Sequence, residues 1–175
     1  MKFITIVLLL LFVMGCHNPH DSGATSPKVN KSIVDSSIDT LSQNLIITPE
    51  EWQEDSVFKD GSKPAPWSVA GINDANQLKI FIKFLRLWVE KGNKDSIAAH
   101  IQYPLSNFKS ISSPALFIRN YDTLFNAKVL KALANQKLSQ IFRNRQGAMI
   151  GNGELWIRNI APGLTDVFKI TTINN

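Results

Sequence analysis

The sequence predicts an α+β fold in which N-terminal helices pack on a mainly antiparallel sheet. From residue 73 to about residue 140, apolar residues recur with the period of a helix; beyond that the period becomes that of strands. Asn152-Gly153, between two apolar stretches, is typical of a tight β-hairpin turn. Helices followed by hairpin-linked strands indicate the α+β class.

The chain begins with Lys2 and an apolar run, Phe3 to Met14, which stops at Gly15-Cys16. This run is too short to cross a bilayer as a helix but suits the apolar core of a secretion signal. Val13-Met14-Gly15-Cys16 resembles the lipobox of bacterial lipoproteins, with an aliphatic residue three positions before the cysteine and a small residue directly before it. The resemblance implies a signal peptide over 1–15, cleavage before Cys16 and lipid attachment to its thiol.

Lipid on Cys16 would anchor the protein permanently, because two or more acyl chains bind a membrane stably whereas one does not. Cys16 is the only cysteine, so no disulfide within the chain is expected. In lipoproteins, aspartate after the cysteine favours the inner membrane. Here that residue is His17, which favours the periplasmic face of the outer membrane in a Gram-negative source. The alternatives are an ordinary signal peptide with a chance cysteine, or a free reactive thiol.

Residues 16–47 are predicted to form a flexible tether, and 48–175 a single domain with its core in 73–173. The tether is rich in Ser, Asn, Asp and Thr and offers little apolar surface to offset the entropy of ordering. Its two histidines, His17 and His20, lack a third ligand and do not predict a metal site. We predict no metal and no other cofactor.

Capping residues mark the predicted helices in order. Thr48, with Pro49 and Glu51, forms a capping box, and Asn73 or Asp74 starts a long helix that ends at Gly92. Further helices are predicted after Asp95, from Ser113-Pro114 and from Asn126; two strands are predicted within 147–160 and another within 166–174, after a loop containing Pro162-Gly163.

The net charge of +5 is unevenly distributed. Residues 17–72 carry four basic and eight acidic side chains, whereas 73–145 carry twelve basic and four acidic ones. Three interpretations are open: a solvated helical face, packing of the acidic PEEWQED segment on the protein's own basic helices, or contact with anionic lipid or an acidic protein partner. The basic side chains expected on outer helical faces are Lys79, Lys83, Arg86, Lys128, Lys131 and Lys137.

Nucleic acid is not an expected partner, because the protein is predicted to be exported and the basic stretch carries no aromatic-interleaved or groove-binding motif. The sequence also contains no glycine-rich phosphate loop, nucleophile-elbow pattern or metal-spaced Cys/His cluster. His100 is the one histidine outside the tether and the candidate acid or base at neutral pH. A structural histidine is the alternative. The carboxylates that could pair with it are Asp95, Asp122, Glu154 and Asp166.

A candidate contact surface lies on the second predicted strand. Glu154, Trp156 and Arg158 share one face of an extended strand, while Leu155 and Ile157 share the other. Burial of the two aliphatic residues would leave the first three side chains open to a ligand or partner. Two further candidates for contact are His100 and Tyr121. The aromatic residues that pack in the core or line a pocket are Trp88, Phe125, Phe142 and Trp156.

Three segments, FIKFLRLWVEKGNKDSIAAHIQYPL, FIRNYDTLF and GAMIGNGELWI, resemble small exported bacterial proteins with a nuclear-transport-factor-two-like (cystatin-like) domain. The resemblance covers about residues 73–173. It implies a curved antiparallel sheet wrapped around helices in a cone, often with a pocket at its open end. Some members are enzymes with an Asp/His pair in that pocket, and many are non-catalytic binding or dimerisation modules. No such pair is evident here, so no catalytic residue is transferred.

These observations together predict a lipid-anchored periplasmic protein that is not an enzyme and that binds a ligand or a protein partner. A homodimer is left open. One alternative is an inhibitor or immunity protein that blocks a secreted wall-degrading enzyme or a toxin. The other is a small pocket enzyme that uses His100.

Overall fold

The computed structural model describes residues 45–161 and 165–175. Within them the fold is α+β, with six helices and a four-stranded antiparallel sheet of order β1-β2-β3-β4. None of the described helices is long and apolar enough to span a membrane. The predicted signal peptide, Cys16, residues 16–44 of the tether and the predicted Pro162-Gly163 turn lie outside the described residues.

The helices begin at the capping residues that the sequence predicted. The Thr48 hydroxyl accepts a hydrogen bond from the Glu51 backbone N–H, and the Glu51 carboxylate accepts one from the Thr48 N–H, which completes the capping box. The side chains of Asp74, Ser113 and Asn126 likewise accept hydrogen bonds from backbone N–H groups at the starts of three later helices. The helices are α1 (Pro49–Trp52), α2 (Ala75–Glu90), α3 (Lys94–Ala99), α4 (Pro114–Arg119), α5 (Tyr121–Leu124) and α6 (Ala127–Asn135), with a 3₁₀ helix at Trp67–Ala70.

Two helical predictions differ in detail from the structure. α3 begins one residue before Asp95, because the Asn93 side chain caps it by accepting from the Ser96 N–H. The single helix predicted from Ser113 is interrupted at Asn120, whose side-chain amide donates to the Leu116 carbonyl at the end of α4. A side chain that competes for backbone carbonyls in this way favours helix termination.

The predicted hairpin is present around Asn152-Gly153, and the third predicted strand pairs beside it. Gly151 precedes the turn with φ +67°, and a Cβ there would lie 2.3 Å from a Glu154 carboxylate oxygen and 2.7 Å from Ala132 Cβ. The close approach of this turn to α6 therefore requires glycine. The strands are β1 (Arg143–Asn144), which was not predicted, β2 (Gly147–Ile150), β3 (Leu155–Asn159) and β4 (Phe168–Ile173).

The segment after α3 lies along β4. Ile101 forms a parallel bridge with Ile170, and the Ile170 N–H donates to the His100 carbonyl. Ile101 is buried in this bridge and does not belong to α3, which ends at Ala99. The pairing places His100 next to the start of β4.

The core lies between the helices and the inner face of the sheet. α2 contributes Leu78, Ile82 and Leu85, and β3 contributes Leu155 and Ile157; all five are fully buried. This inner face of β3 is the one that strand alternation predicted. A second part of the core is an aromatic cluster of Phe117, Tyr121 and Phe125.

Candidate functional site

The basic side chains predicted on the outer face of α2 do not form an exposed surface. Lys79 is 1% exposed, and its ammonium donates to the Glu51 and Trp52 carbonyls at 2.7 and 3.0 Å. These carbonyls lie at the C-terminal end of α1, where a cation is favoured. Burial lowers the pKa of Lys79. The prediction of an exposed Lys79 was therefore wrong.

Lys83 and Arg86 also bond to other parts of the protein. Lys83 forms an ion pair with Glu51 at 2.6 Å and donates to the Ile46 carbonyl. Arg86 donates to the carbonyls of Leu133 and Gln136. Of the three interpretations of the charge pattern, the structure shows packing of the acidic segment on the protein's own basic helix at Lys79 and Lys83.

The Glu51–Lys83 pair predicts a pH dependence of stability. Burial alone would raise the pKa of Glu51, but hydrogen bonds from Lys83 and the Thr48 backbone outweigh it, together with nearby positive charges, and lower the pKa. A carboxyl with a lowered folded pKa stabilises the protein above its unfolded pKa, and this contribution is lost as pH falls through the folded value. Between pH 7 and about pH 3, we expect the free energy of unfolding to fall by about 0.5 kcal/mol less in Glu51→Gln than in the unaltered protein. Urea denaturation at a series of pH values measures this difference.

Glu90→Gln is the matched control, because Glu90 is exposed at the end of α2, the helix that carries Lys83, and forms no ion pair among the described residues. Its acid dependence should equal that of the unaltered protein. An unchanged acid slope in Glu51→Gln would show that the Lys83 pair adds nothing to stability.

On β3 the predicted open face is present for two of its three residues. Trp156 is half-buried and Arg158 is exposed, opposite buried Leu155 and Ile157. Glu154 departs from the prediction: it precedes the strand, is 8% exposed, and its carboxylate accepts from the Asn152 N–H. This carboxylate therefore bonds within the hairpin turn and does not form part of an open face.

Tyr121 was a candidate for ligand contact, and the structure buries it instead. Its ring stacks on Phe125 with centroids 5.1 Å apart, and the Lys94 ammonium lies 4.6 Å from its centroid. Burial, reinforced by the Asp122 charge, raises the pKa of its hydroxyl. Tyr121 is a core residue.

A groove of about 390 Å³ lies between α2, the end of α3 and the start of β4, and we call it the aromatic groove. Three polar side chains border it: Gln77, His100 and Asp166. Phe84 is exposed and Trp88 half-buried, so aromatic rings are accessible at the surface. The apolar lining residues are Ile80, Phe81, Phe84, Trp88, Val167 and Phe168.

His100 is held in place within this groove. Its imidazole stacks on Trp88 with centroids 4.6 Å apart and lies 5.5 Å from the Phe81 ring. Nδ1 lies 2.8 Å from the Ser96 carbonyl oxygen, which can only accept, so Nδ1 carries a proton. In the neutral ring, Nε2 is then the acceptor. No hydrogen-bond partner of Nε2 is found among the described residues.

Asp166 borders the same groove but is fully engaged elsewhere. Its carboxylate accepts from the backbone N–H groups of Asn73 and Asp74 at 3.1 and 2.9 Å. It also accepts from the side-chain amides of Asn73 and Asn159 at 2.7 and 2.6 Å. Asp166 therefore joins the start of α2 to the end of β3, and these four bonds leave it poorly placed to orient His100.

A second groove, of about 540 Å³, lies between α6, residues 58–60 and the β2–β3 turn, and we call it the basic groove. Lys128 and Lys131 line it and are exposed, in the outward position expected for them on this helix. Lys59 and Lys137 also line it. The two grooves thus differ in chemistry: one is apolar with a single imidazole, and the other is cationic.

Sequence reasoning did not assign Phe84 or Val167 to a site. Phe84 lies outside the buried stripe of α2 but four residues before Trp88, a spacing that places two rings on one helical surface. Their centroids are 5.9 Å apart. The available signal was an aromatic residue outside the buried stripe, Phe84, one turn before Trp88 at the edge of that stripe. No sequence signal indicated that Val167 lines the groove, because its position depends on the pairing of β4.

Comparison with protein-family models, with curated proteins and with solved structures found no match. In the part of the chain that the structure describes, no three His, Cys, Asp or Glu side chains lie together as a metal site would need.

Proposed function

We propose that this protein is a lipid-anchored, non-catalytic binding protein of the bacterial cell envelope, and that its domain holds a small, largely apolar ligand in the aromatic groove. The observation that carries the proposal is the groove itself. Its volume of about 390 Å³ and its aromatic lining with few polar groups are typical of small-molecule sites. His100 Nε2 supplies one hydrogen bond to fix the orientation of the ligand.

The state of His100 supports binding rather than catalysis. General acid–base work by histidine commonly relies on a carboxylate that orients the ring. Here the Ser96 carbonyl, rather than a carboxylate, accepts the hydrogen bond from His100 Nδ1. Asp166, the carboxylate that borders the groove, accepts four hydrogen bonds from other groups. Glu154, another predicted partner of His100, lines the basic groove instead.

The remaining parts of the proposal come from the sequence. Lipid on Cys16 places the domain at the periplasmic face of the outer membrane, at the end of a flexible tether. The cone of a nuclear-transport-factor-two-like domain accounts for the order of elements, with helices before a meandering antiparallel sheet. The resemblance implies a pocket at the open end of such a cone, which supports a ligand site in this domain.

Binding of the neutral fluorescent probe N-phenyl-1-naphthylamine tests the aromatic groove. We expect one probe per chain, with Trp88→Ala weakening the affinity at least about tenfold, because an aromatic contact contributes about 1 kcal/mol beyond the area it buries. Phe84→Ala should also weaken binding, with less effect on stability, because Phe84 is exposed. Fluorescence titration measures both affinities, and thermal unfolding confirms that each variant is folded.

Trp52→Ala is the matched control, because Trp52 is exposed and lies outside the groove. Its affinity should match that of the unaltered protein. Equal losses in Trp52→Ala and Trp88→Ala would refute the groove as the site. A ligand recovered with the protein and chemically converted by it, but not by His100→Ala, would favour the pocket enzyme over the binding protein.

A further inference from the structure

The basic groove has more positive charge than its own carboxylates neutralise. Lys128 lies 3.9 Å from Glu154, at the limit of an ion pair. Lys59, Lys131 and Lys137 have no carboxylate within 4.0 Å among residues 45–161 and 165–175. Positive charge concentrated along a cleft attracts anionic ligands.

The two carboxylates in this groove already accept hydrogen bonds from within the protein. Asp60 accepts from the Ser62 hydroxyl and backbone N–H at 2.6 and 3.0 Å. Glu154 is buried and accepts from the Asn152 N–H. Neither carboxylate lies within 4.0 Å of Lys59, Lys131 or Lys137, so an external anion would meet little competition at these three lysines.

Part of the lining of the groove is apolar. The rings of Phe58 and Phe142 lie 6.2 Å apart, and Phe142 is 37% exposed. Phe142 also packs edge-on against Trp156, and Met149 lines the groove as well. A ligand that carried only charge would leave these rings in water, whereas an apolar side chain could cover them.

The cations are spread along the groove rather than gathered at one point. Lys128 and Lys131 are three residues apart on one surface of α6, Lys137 lies beyond the end of that helix, and Lys59 is on the facing wall. The N–H groups of the nearby turn are also taken, since Gly151 donates to Gln136 and Asn152 donates to Glu154. A single phosphate would find no cluster of free backbone donors here.

We propose that the basic groove docks an acidic polypeptide segment of a protein partner. Its carboxylates would lie over Lys59, Lys131 and Lys137, and one apolar side chain would pack on Phe142. Several separate negative charges would each meet a separate lysine, and the apolar side chain would cover the exposed ring of Phe142. This site is distinct from the aromatic groove and does not depend on the function proposed there.

Fluorescence anisotropy of the full chain in a neutral detergent tests this proposal. The probe is a short labelled peptide in which glutamates flank a single phenylalanine; comparison peptides replace the glutamates by glutamines or the phenylalanine by glycine. We expect the acidic peptide with phenylalanine to bind best. The double variant Lys131→Ala/Lys137→Ala should weaken its binding about tenfold, because two charge contacts are removed. Phe142→Ala should remove the preference for phenylalanine over glycine.

The control is Lys91→Ala/Lys109→Ala, which changes the net charge equally at exposed lysines outside the groove. It should bind the peptide within about twofold of the unaltered protein. Equal weakening in both double variants would overturn the proposal, because binding would then depend on net charge alone. Binding to phosphatidylglycerol vesicles through Lys131 and Lys137, without peptide binding, would also overturn it in favour of a membrane surface.

Discussion

Replacing Cys16 by alanine is expected to move the protein from the membrane fraction to the soluble fraction and to abolish labelling with radioactive palmitate. Each buried methylene of an acyl chain contributes about 0.8 kcal/mol, so a protein with two or more chains is stably anchored to the membrane. Alanine has no thiol to accept the first lipid. The effect should therefore be close to complete.

His17→Asp is the matched control for the anchor. It leaves Cys16 intact, so palmitate labelling should persist. Aspartate after the cysteine should move the protein from the outer to the inner membrane in a Gram-negative host, as measured by density separation of the two membranes. Labelling and membrane association that survive in Cys16→Ala would contradict the lipoprotein interpretation.

The second large effect is expected from Arg143→Ala, which should lower the free energy of unfolding by about 3 kcal/mol. Arg143 is 4% exposed, and its guanidinium lies 3.8 Å from the centroid of the Trp67 ring. It pairs with Glu54 at 2.8 Å and donates to the Ala65 and Ile141 carbonyls. Alanine removes all of these contacts and leaves acceptors without a donor. Urea denaturation measures the loss.

Two variants make the Arg143 result interpretable. Arg143→Lys keeps the charge but loses the planar fork and its stacking on Trp67, so it should recover less than half of the stability. Arg145→Ala removes an exposed arginine two residues away and should change stability by less than about 0.5 kcal/mol. If Arg143→Ala were no more destabilising than Arg145→Ala, the contacts of Arg143 would not hold the N-terminal segment in place.

Arg143 shows why the N-terminal acidic segment belongs to the domain. The sequence predicted a domain from residue 48, with its confident core only from residue 73. In the structure, Glu54 and Trp67 surround Arg143 next to the sheet, while Glu51 pairs with Lys83 on α2. Acidic and basic residues distant in the chain thus neutralise each other, and this pairing attaches residues 48–67 to the core.

The sequence by itself determined the features that depend on neighbours within a few residues. Thr48, Asp74, Ser113 and Asn126 cap helices because their side chains bond backbone N–H groups two or three positions ahead. The alternation that buries Ile157 and its neighbours on β3 is equally local. The lipid attachment at Cys16 is also a local signal and stays a prediction.

Only the tertiary structure decided which charges and rings are available for function. Lys79 bonds a carbonyl 28 positions away, and Asp166 bonds a backbone N–H 92 positions away. The aromatic groove likewise joins Trp88 of α2 to Val167 near β4. Helical periodicity places a residue on a face of its own helix but carries no information on what covers that face. Lys79 was therefore expected at the surface but is buried, whereas Lys131 is exposed as expected.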